Sequence, residues 1–260
     1  MSGGESLDIS WMRASGIHAG RLLKRWTRSP VMIASAVGVP VVMIAIITVM
    51  FSGMVEQFSG VAMDMAGVAI MIAVAQAFTG SLLGAGAIVQ ERQEGLPQRL
   101  ATLPVPRGAA VTGRVLAESA RAFVSVLAAL AMGLAYGASF GGLIPAMGTL
   151  LVLAVVAVAA GSVGVMLGYL VETPQGAFSF APLVMAAMFF NTAMMPRDMY
   201  AAVLRPFVDA SPVTAVTQLV NAIAVGRVEG WQVLVFVLWF GGLTALSLLV
   251  LGPRGSGVQR

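Results

Sequence analysis

The chain has 260 residues, of which 58% are hydrophobic and 10% are charged, and its mean hydropathy is +0.92. Soluble domains carry roughly 25% charged residues, so this composition excludes an ordinary soluble domain and indicates an integral membrane protein. The formal net charge of +4 does not require a nucleic-acid partner, because the basic residues cluster beside apolar runs, where anionic lipid explains them. There is no cysteine, which excludes disulfides, thiolate metal sites and cysteine nucleophiles.

The first predicted element is an amphipathic helix over residues 8–28. On a helical projection, its apolar side chains fall within one arc and its cations fall on the opposite side. The apolar arc contains Trp11, Met12, Ala19, Leu22, Leu23 and Trp26, and the cationic side contains Arg13, Arg21, Lys24, Arg25 and Arg28. This pattern is typical of an interfacial helix lying flat on anionic lipid. An ordinary positively charged flank without a defined helix is the alternative.

Six apolar segments are each long enough to cross a bilayer. They lie at 31–51, 65–89, 117–140, 143–169, 177–195 and 231–251. No alternating barrel pattern is present, and backbone groups in lipid must be hydrogen-bonded internally, so the segments are predicted to be helices. The first is too long for a signal-peptide core and is interpreted as a retained span. The predicted fold is an all-α membrane protein with six transmembrane helices.

The positive-inside rule orients these spans. Twelve Lys and Arg residues lie in the N-terminal segment, around the loop over 90–113 and in the C-terminal tail, whereas three lie on the other side. Both termini and this loop are therefore predicted to be cytoplasmic.

Five residues within the spans are candidates for a substrate path, namely Gln76, Gly80, Gly84, Phe189 and Asn191. Helix packing is the default explanation for the glycines, and interhelical hydrogen bonding for Gln76 and Asn191. No Asp, Glu, Lys or Arg falls at the middle of a predicted span, which argues against proton- or ion-coupled transport.

The outer segment 196–230 is too apolar for a plain solvated loop. Pro196, Pro206 and Pro212 divide it into pieces shorter than a span, and its apolar residues recur at helical spacing. Short re-entrant helices before the last span are the favoured interpretation, and a mobile surface lid is the alternative.

The loop over 90–113 is the densest polar stretch between two apolar runs. It contains the pattern Glu91-Arg92-x-x-Gly95, followed by Leu100-x-Thr102-x-Pro104-Val105-x-Arg107 and Gly113. This pattern resembles the cytoplasmic loop of type 2 ATP-binding-cassette (ABC) export permeases. The Pro206-Phe207 and Ser211-Pro212-Val213 stretch is similar to the daunorubicin-resistance branch of that family, and the resemblance covers nearly the whole chain.

The resemblance implies a permease subunit in the bacterial plasma membrane that is not an enzyme by itself. It implies two cytoplasmic ABC ATPase subunits, which would hold ATP and Mg, and a second permease subunit, identical or related. The sequence has no G-x-x-x-x-G-K-[ST] motif of its own. The residues that the resemblance assigns to ATPase coupling are Glu91, Arg92, Gly95, Arg99, Thr102, Pro104 and Arg107.

The cargo implied by the resemblance is a hydrophobic or amphipathic molecule, such as a drug, a lipid or a polyketide-like compound. An ion-coupled secondary transporter or channel and a non-transporting membrane scaffold stay open as alternatives. A lipid-modifying enzyme is the least favoured, because the sequence has no Ser, His and acid set, no H-E-x-x-H motif and no carboxylate cluster.

Overall fold

The computed structural model describes residues 10–60, 62–95, 108–193 and 195–256, and every regular element in these ranges is helical. In chain order the helices are α1 (Trp11–Trp26), α2 (Pro30–Phe58), α3 (Met65–Gln93), α4 (Ala109–Ala135), α5 (Leu143–Leu170), α6 (Pro174–Phe178), α7 (Ala181–Phe189), α8 (Arg205–Asp209), α9 (Pro212–Val225) and α10 (Gly230–Gly252). The prediction of an all-α fold is confirmed. Five of these helices, α2, α3, α4, α5 and α10, are long and apolar enough to cross a membrane.

The core of the bundle consists of α3, α4 and α5, with α3 at the centre and buried along most of its length. Small residues bring the three helices close together. Gly161 of α5 lies directly against Ser119 of α4, and Gly164 lies against Ser81 of α3, so that a Cβ atom at either glycine would collide with the facing helix. This is the packing expected in lipid, where close backbone approach replaces the hydrophobic driving force. The outer helices α2 and α10 are the least buried of the five.

The end of the bundle where α3 stops and α4 starts is called the loop end below, and the opposite end is called the far end. The C-terminus of α5 also lies at the loop end, because Arg92 of α3 contacts it. The N-terminal helix α1 lies there too, because Arg25 contacts the last turns of α3.

The prediction of one continuous span over 177–195 is not confirmed. This stretch contains two short helices, α6 and α7, which are separated at Ser179 and Phe180. Pro182 has no N–H to donate to the carbonyl of Phe178, so the first helix ends there. The side chain of Asn191 ends the second helix, because its amide donates to the carbonyls of Ala187 and Met188 at 2.9 and 2.7 Å.

The outer segment contains a single 3₁₀ turn at Arg197–Met199 and the short helices α8 and α9. Val213, Val216 and Val220 of α9 are buried against the bundle. The predicted short apolar helices are therefore present, and their re-entry into the membrane stays a prediction. The guanidinium of Arg197 makes a bidentate contact with the carboxylate of Asp209, with Nε–Oδ1 at 2.7 Å and Nη2–Oδ2 at 2.8 Å.

The third span begins earlier than the sequence predicted, at Ala109 instead of residue 117. This correction changes where its charges lie. Arg121 is the thirteenth of the 27 residues of α4, so it occupies the middle of the helix rather than its start. The expectation that no ionisable residue falls at the middle of a span was therefore wrong. Glu118 and Arg121 pair with each other within the helix, whose first eight residues precede the predicted span.

Candidate coupling site

Glu91 lies in the last turn of α3 and is 7% exposed. Its two carboxylate oxygens bind two different helices. Oε1 accepts a hydrogen bond from Nη1 of Arg25 on α1 at 2.7 Å, and Oε2 pairs with Nη2 of Arg114 on α4. Glu91 therefore ties the end of α3 to the helix that precedes the bundle and to the helix that follows the loop.

The two arginines differ in their access to solvent. The side chain of Arg114 is 14% exposed and that of Arg25 is 71% exposed. Nε of Arg114 is buried and has no hydrogen-bond partner among the described residues, so the pairing with Glu91 is the main compensation for that charge. Water can hydrate Arg25 without Glu91, but it has little access to Arg114.

Arg92 contacts a third helix. Its Nη1 donates to the carbonyls of Gly168 and Val171 at 3.0 and 3.2 Å, and its guanidinium carbon lies 5.8 Å from the centre of the Tyr169 ring. The last carbonyls of a helix have no partner within the helix and attract cations. Arg92 thus caps the C-terminus of α5 and fixes it beside α3.

The loop itself starts at Gly95, which has a φ of +75°. This left-handed conformation strains any residue with a Cβ atom, so glycine suits the position where the chain leaves α3. Of the other residues assigned to ATPase coupling, Arg99, Thr102, Pro104 and Arg107 lie outside the described residues. The described part of the candidate site is therefore the base of the loop rather than its tip.

The N-terminal helix is packed against α4. Ala14, Ser15 and Ala19 are buried, and Gly113 of α4 approaches the Ser15 carbonyl so closely that a Cβ atom there would clash. His18 lies at the same contact, and burial, together with the nearby Arg21, lowers its pKa.

The side chains of the predicted interfacial helix divide between the bundle and its surroundings. Trp26 is partly buried, whereas Trp11, Arg21, Lys24 and Arg25 are exposed. The helix predicted over 8–28 therefore exists at Trp11–Trp26, and its position on the membrane surface stays a prediction.

A second charged pair lies deeper in the bundle. Arg121 is 4% exposed, and its Nε and Nη2 donate to Oε2 of Glu118 at 2.9 and 2.6 Å. Nη2 also donates to the backbone carbonyl of Gly80 on α3. The pair fits because α3 has glycines here: a Cβ atom at Gly80 would lie 3.0 Å from Nη1 of Arg121, and one at Gly84 would lie 2.8 Å from the carboxylate carbon of Glu118.

The residues proposed for a substrate path are not brought together as one surface. Gly84 is buried beneath Glu118, and Asn191 is buried at the end of α7, where its side chain hydrogen-bonds to nearby backbone groups and its carbonyl accepts from the Tyr200 hydroxyl. Gln76 and Gly80 are partly exposed, and Phe189 is largely exposed. The geometry supports the packing alternative for Gly84 and a helix-ending role for Asn191, and it leaves Gln76, Gly80 and Phe189 as candidates.

Arg114, Glu118 and Arg121 are site residues that the sequence patterns had not indicated. Two signals were available in the sequence. Glu91 and Arg114 are opposite charges on the two stems of one helical hairpin, and Glu118 and Arg121 have the i, i+3 spacing of a helical ion pair.

The long apolar helices, with a charged segment anchored at one end, define a multi-pass membrane protein. A family profile described as "ABC-2 type transporter" matches residues 17–225. The match covers most of the chain, so the chain belongs to the ABC-2 type transporter family, and it is the membrane subunit of an ABC exporter rather than an enzyme by itself. Family membership also implies an ABC ATPase partner.

Relatives from two strains of Mycobacterium tuberculosis, CDC 1551/Oshkosh and ATCC 25618/H37Rv, are similar over almost the whole chain. Each is 28% identical over 247 residues, which cover 94% of this chain and 87% of the relative. Both are described as "Probable doxorubicin resistance ABC transporter permease protein DrrC".

Proposed function

We propose that this chain is the permease of an ATP-driven exporter of hydrophobic or amphipathic molecules, and that a separate cytoplasmic ATPase drives it through the segment over 90–113. Two ATPase subunits and a second permease, identical or related, complete the complex in the bacterial plasma membrane. ATP and Mg would be held by the ATPase.

The observation that carries this proposal is the ionic anchoring at the base of the loop. Glu91 binds α1 and α4, and Arg92 binds α5, so adjacent residues of one helical turn connect α3 to three other helices. A partner that moves the loop would consequently move the loop end of the whole core. Glu91 and Arg92 are then anchors of the coupling segment, and Arg99, Thr102, Pro104 and Arg107 remain the candidates for direct ATPase contact.

The favoured topology has six crossings and both termini in the cytoplasm. Along α3, Gly86 packs against Pro174 and Phe178, and Gly67 packs against the backbone of Ala193. These contacts are 19 residues apart on α3, which corresponds to about 28 Å, close to the thickness of a hydrocarbon core. This distance supports a sixth crossing made of α6, α7 and the turn after them. The twelve-to-three distribution of Lys and Arg supports the orientation.

The partly exposed side of α3 and the two mycobacterial relatives support the proposed class of cargo. The partly exposed side of α3 combines Gln76 and Thr79 with Leu83 and Ala87, which suits a molecule with both polar and apolar parts. The descriptions of the two mycobacterial relatives name doxorubicin resistance. Doxorubicin is therefore a suitable first probe, and phospholipid is the second.

The experiment uses the complex of the tagged chain with the ATPase that co-purifies with it. After reconstitution into proteoliposomes, ATP-dependent movement of doxorubicin is measured for the parent and for Glu91→Ala and Arg107→Ala. We expect Arg107→Ala to weaken ATPase association without destabilising the chain. We expect Glu91→Ala to weaken ATPase association and also to destabilise the chain. The control is Arg197→Gln at the far end, for which parental association is expected. Parental ATPase binding and export in both loop variants would contradict the coupling assignment.

The buried pair of Glu118 and Arg121 is a specific observation in favour of the second candidate, an ion-coupled transporter, because ionisable residues within spans often serve ion pathways. The same proteoliposomes distinguish the two candidates. Flux driven by a proton or sodium gradient without ATP supports ion coupling, and flux that requires ATP supports the exporter.

A further inference from the structure

The ion pair of Glu118 and Arg121 lies at the middle of the helical core. Arg121 is the thirteenth of 27 residues in α4, and Gly80 is the sixteenth of 29 residues in α3. At a rise of 1.5 Å per residue, each lies about 18–20 Å from the loop end of its helix. A charged side chain buried midway along an apolar helix is expensive and is kept in membrane proteins mainly where it has a role.

The contact of Arg121 with the Gly80 carbonyl joins two helices rather than two side chains. Glu118 neutralises Arg121 within α4, and the same guanidinium nitrogen, Nη2, also reaches the backbone of α3. Gly80 and Gly84 together leave the space that the pair fills. A side chain on α3 at either position would separate the two helices at this level.

α3 and α4 are consequently linked at two levels. Near the loop end the link is Glu91 to Arg114, and at mid-depth it is Arg121 to Gly80. The two levels are 11 residues apart on α3 and 7 residues apart on α4, which corresponds to about 16 and 10 Å. One contact would allow two helices to pivot about it. Two contacts at different depths prevent both pivoting and sliding.

We propose that Glu118 and Arg121 are positioning residues that make α3 and α4 move as one rigid lever, so that a displacement of the loop reaches the middle of the membrane undiminished. This proposal deepens the proposed function and rests on it. The relative motion then occurs against the outer helices α2 and α10, which are the least buried spans. Each of these contains a π-helical turn, at Ala34–Gly38 and Val237–Gly241, a feature that often marks functional sites.

A merely structural role would be to hold the fold together, and the test must separate that role from coupling. The double variant Glu118→Met/Arg121→Met removes both charges and retains apolar side chains of similar length. Replacing both partners of a buried ion pair is often tolerated, whereas removing one is not. The matched control is Arg197→Gln/Asp209→Asn, which removes an ion pair from the exposed far end.

The chain contains no cysteine, so pairs of spin labels can be placed at chosen sites. Leu83→Cys on α3 and Leu127→Cys on α4 report on the lever, and Leu83→Cys with Ile46→Cys reports on α3 against α2. All three sites are exposed. Distances are measured by pulsed electron resonance in the complete complex, without nucleotide and after trapping with ATP and vanadate. Excess unlabelled chain suppresses distances between two copies.

In the parent, we expect the α3–α4 distance to stay the same in both states while the α3–α2 distance changes. In the double methionine variant, the α3–α4 distribution should broaden, and export per ATP hydrolysed should fall by about 2- to 30-fold, the range seen for residues that couple distant sites. The complex should still assemble, and the control variant should keep the parental ratio.

Two results would overturn the lever. One is a change of the α3–α4 distance in the parent on trapping, and the other is a double variant with parental distances and parental export per ATP. A parent that shows no ATP-driven export at all would instead refute the proposed function. The failure of the lever and the failure of the proposed function are therefore distinguishable.

Discussion

Replacing Glu91 with alanine should be among the most destabilising single changes at the loop end. Glu91 is buried and supports Arg25 and Arg114 at once. Removal of one partner from a buried pair costs about 3–5 kcal/mol, because the remaining charge is left uncompensated. This figure applies to Arg114, which is 14% exposed. The link to Arg25, which is 71% exposed, belongs with surface pairs at about 0–1 kcal/mol.

The structure therefore predicts an order of effects rather than one value. Glu91→Ala should lower the free energy of unfolding by about 3–5 kcal/mol, and Arg25→Ala by at most about 1 kcal/mol. The double variant Glu91→Met/Arg114→Met should cost less than Glu91→Ala alone, because it leaves no buried charge behind. The chain has four tryptophans, two of them on α1, so unfolding by denaturant in mixed micelles can be followed by tryptophan fluorescence.

Two results of this measurement would contradict the anchoring role of Glu91. If Arg25→Ala destabilises the chain as much as Glu91→Ala does, the assignment of most of the stabilisation to the buried pair with Arg114, rather than to the exposed pair with Arg25, is wrong. If Glu91→Ala costs less than about 1 kcal/mol, Glu91 behaves as a surface residue and is not an anchor. Measurements at low and high salt separate the two links further, because screening weakens the exposed pair with Arg25 much more than the buried pair.

Three further predictions concern the two ends of the bundle and the orientation of the chain. Gly113→Val should displace α1 from α4 and increase proteolysis of residues 11–26, whereas Gly20→Val, which faces open space, should not; equal proteolysis in both variants would count against the α1–α4 contact. The hydrogen bond from Arg197 lowers the pKa of Asp209 below its ordinary 3.8. The Arg197–Asp209 ion pair should therefore persist at pH values above the lowered pKa and break as the pH falls through it. Protease sensitivity of the outer segment should rise only in that acid range in the parent, but already at neutral pH in Asp209→Asn. An impermeant thiol reagent applied to intact cells should not label Ser2→Cys, Arg99→Cys or Gly255→Cys, and labelling of Arg99→Cys from outside would reverse the orientation.

The sequence predicted the long helices well because lipid imposes one simple requirement on them. A segment of about 20 apolar residues must hydrogen-bond its own backbone, and a helix is the local solution. The predicted bounds of 65–89 and 143–169 differ little from Met65–Gln93 and Leu143–Leu170 for this reason. The start of α4 was misplaced by eight residues because Arg114 looked like a loop charge, and Glu118 and Arg121 were consequently placed at the start of the span. Their partners lie on the same helix and on α3, and the second of these contacts is not visible in a local pattern.

The candidate site was predictable in its location but not in its roles. Composition and the loop motif drew attention to Glu91 and Arg92, and both do lie where α3 meets other helices, α1 and α4 at Glu91 and α5 at Arg92. Their partners, however, are the side chains of Arg25 and Arg114, 66 and 23 positions away, and backbone carbonyls 76 and 79 positions away. Backbone carbonyls carry no sequence signature, so the capping of α5 by Arg92 required coordinates.

The positions of the ionic contacts also explain how small residues can hold this core together. Glycine and serine contacts between α3, α4 and α5 permit close approach. In lipid, however, no hydrophobic driving force fixes the position of one helix along the axis of the next. A charge must meet a particular partner, since a slip by one turn would leave Glu91 without Arg114 and would displace Glu118 and Arg121 from the space that Gly80 and Gly84 leave. The small residues therefore provide proximity, and the buried charges fix the register. The same division of roles is required of a core that transmits movement from its loop end: close packing alone would let the helices slide, and the charged contacts are what prevent it.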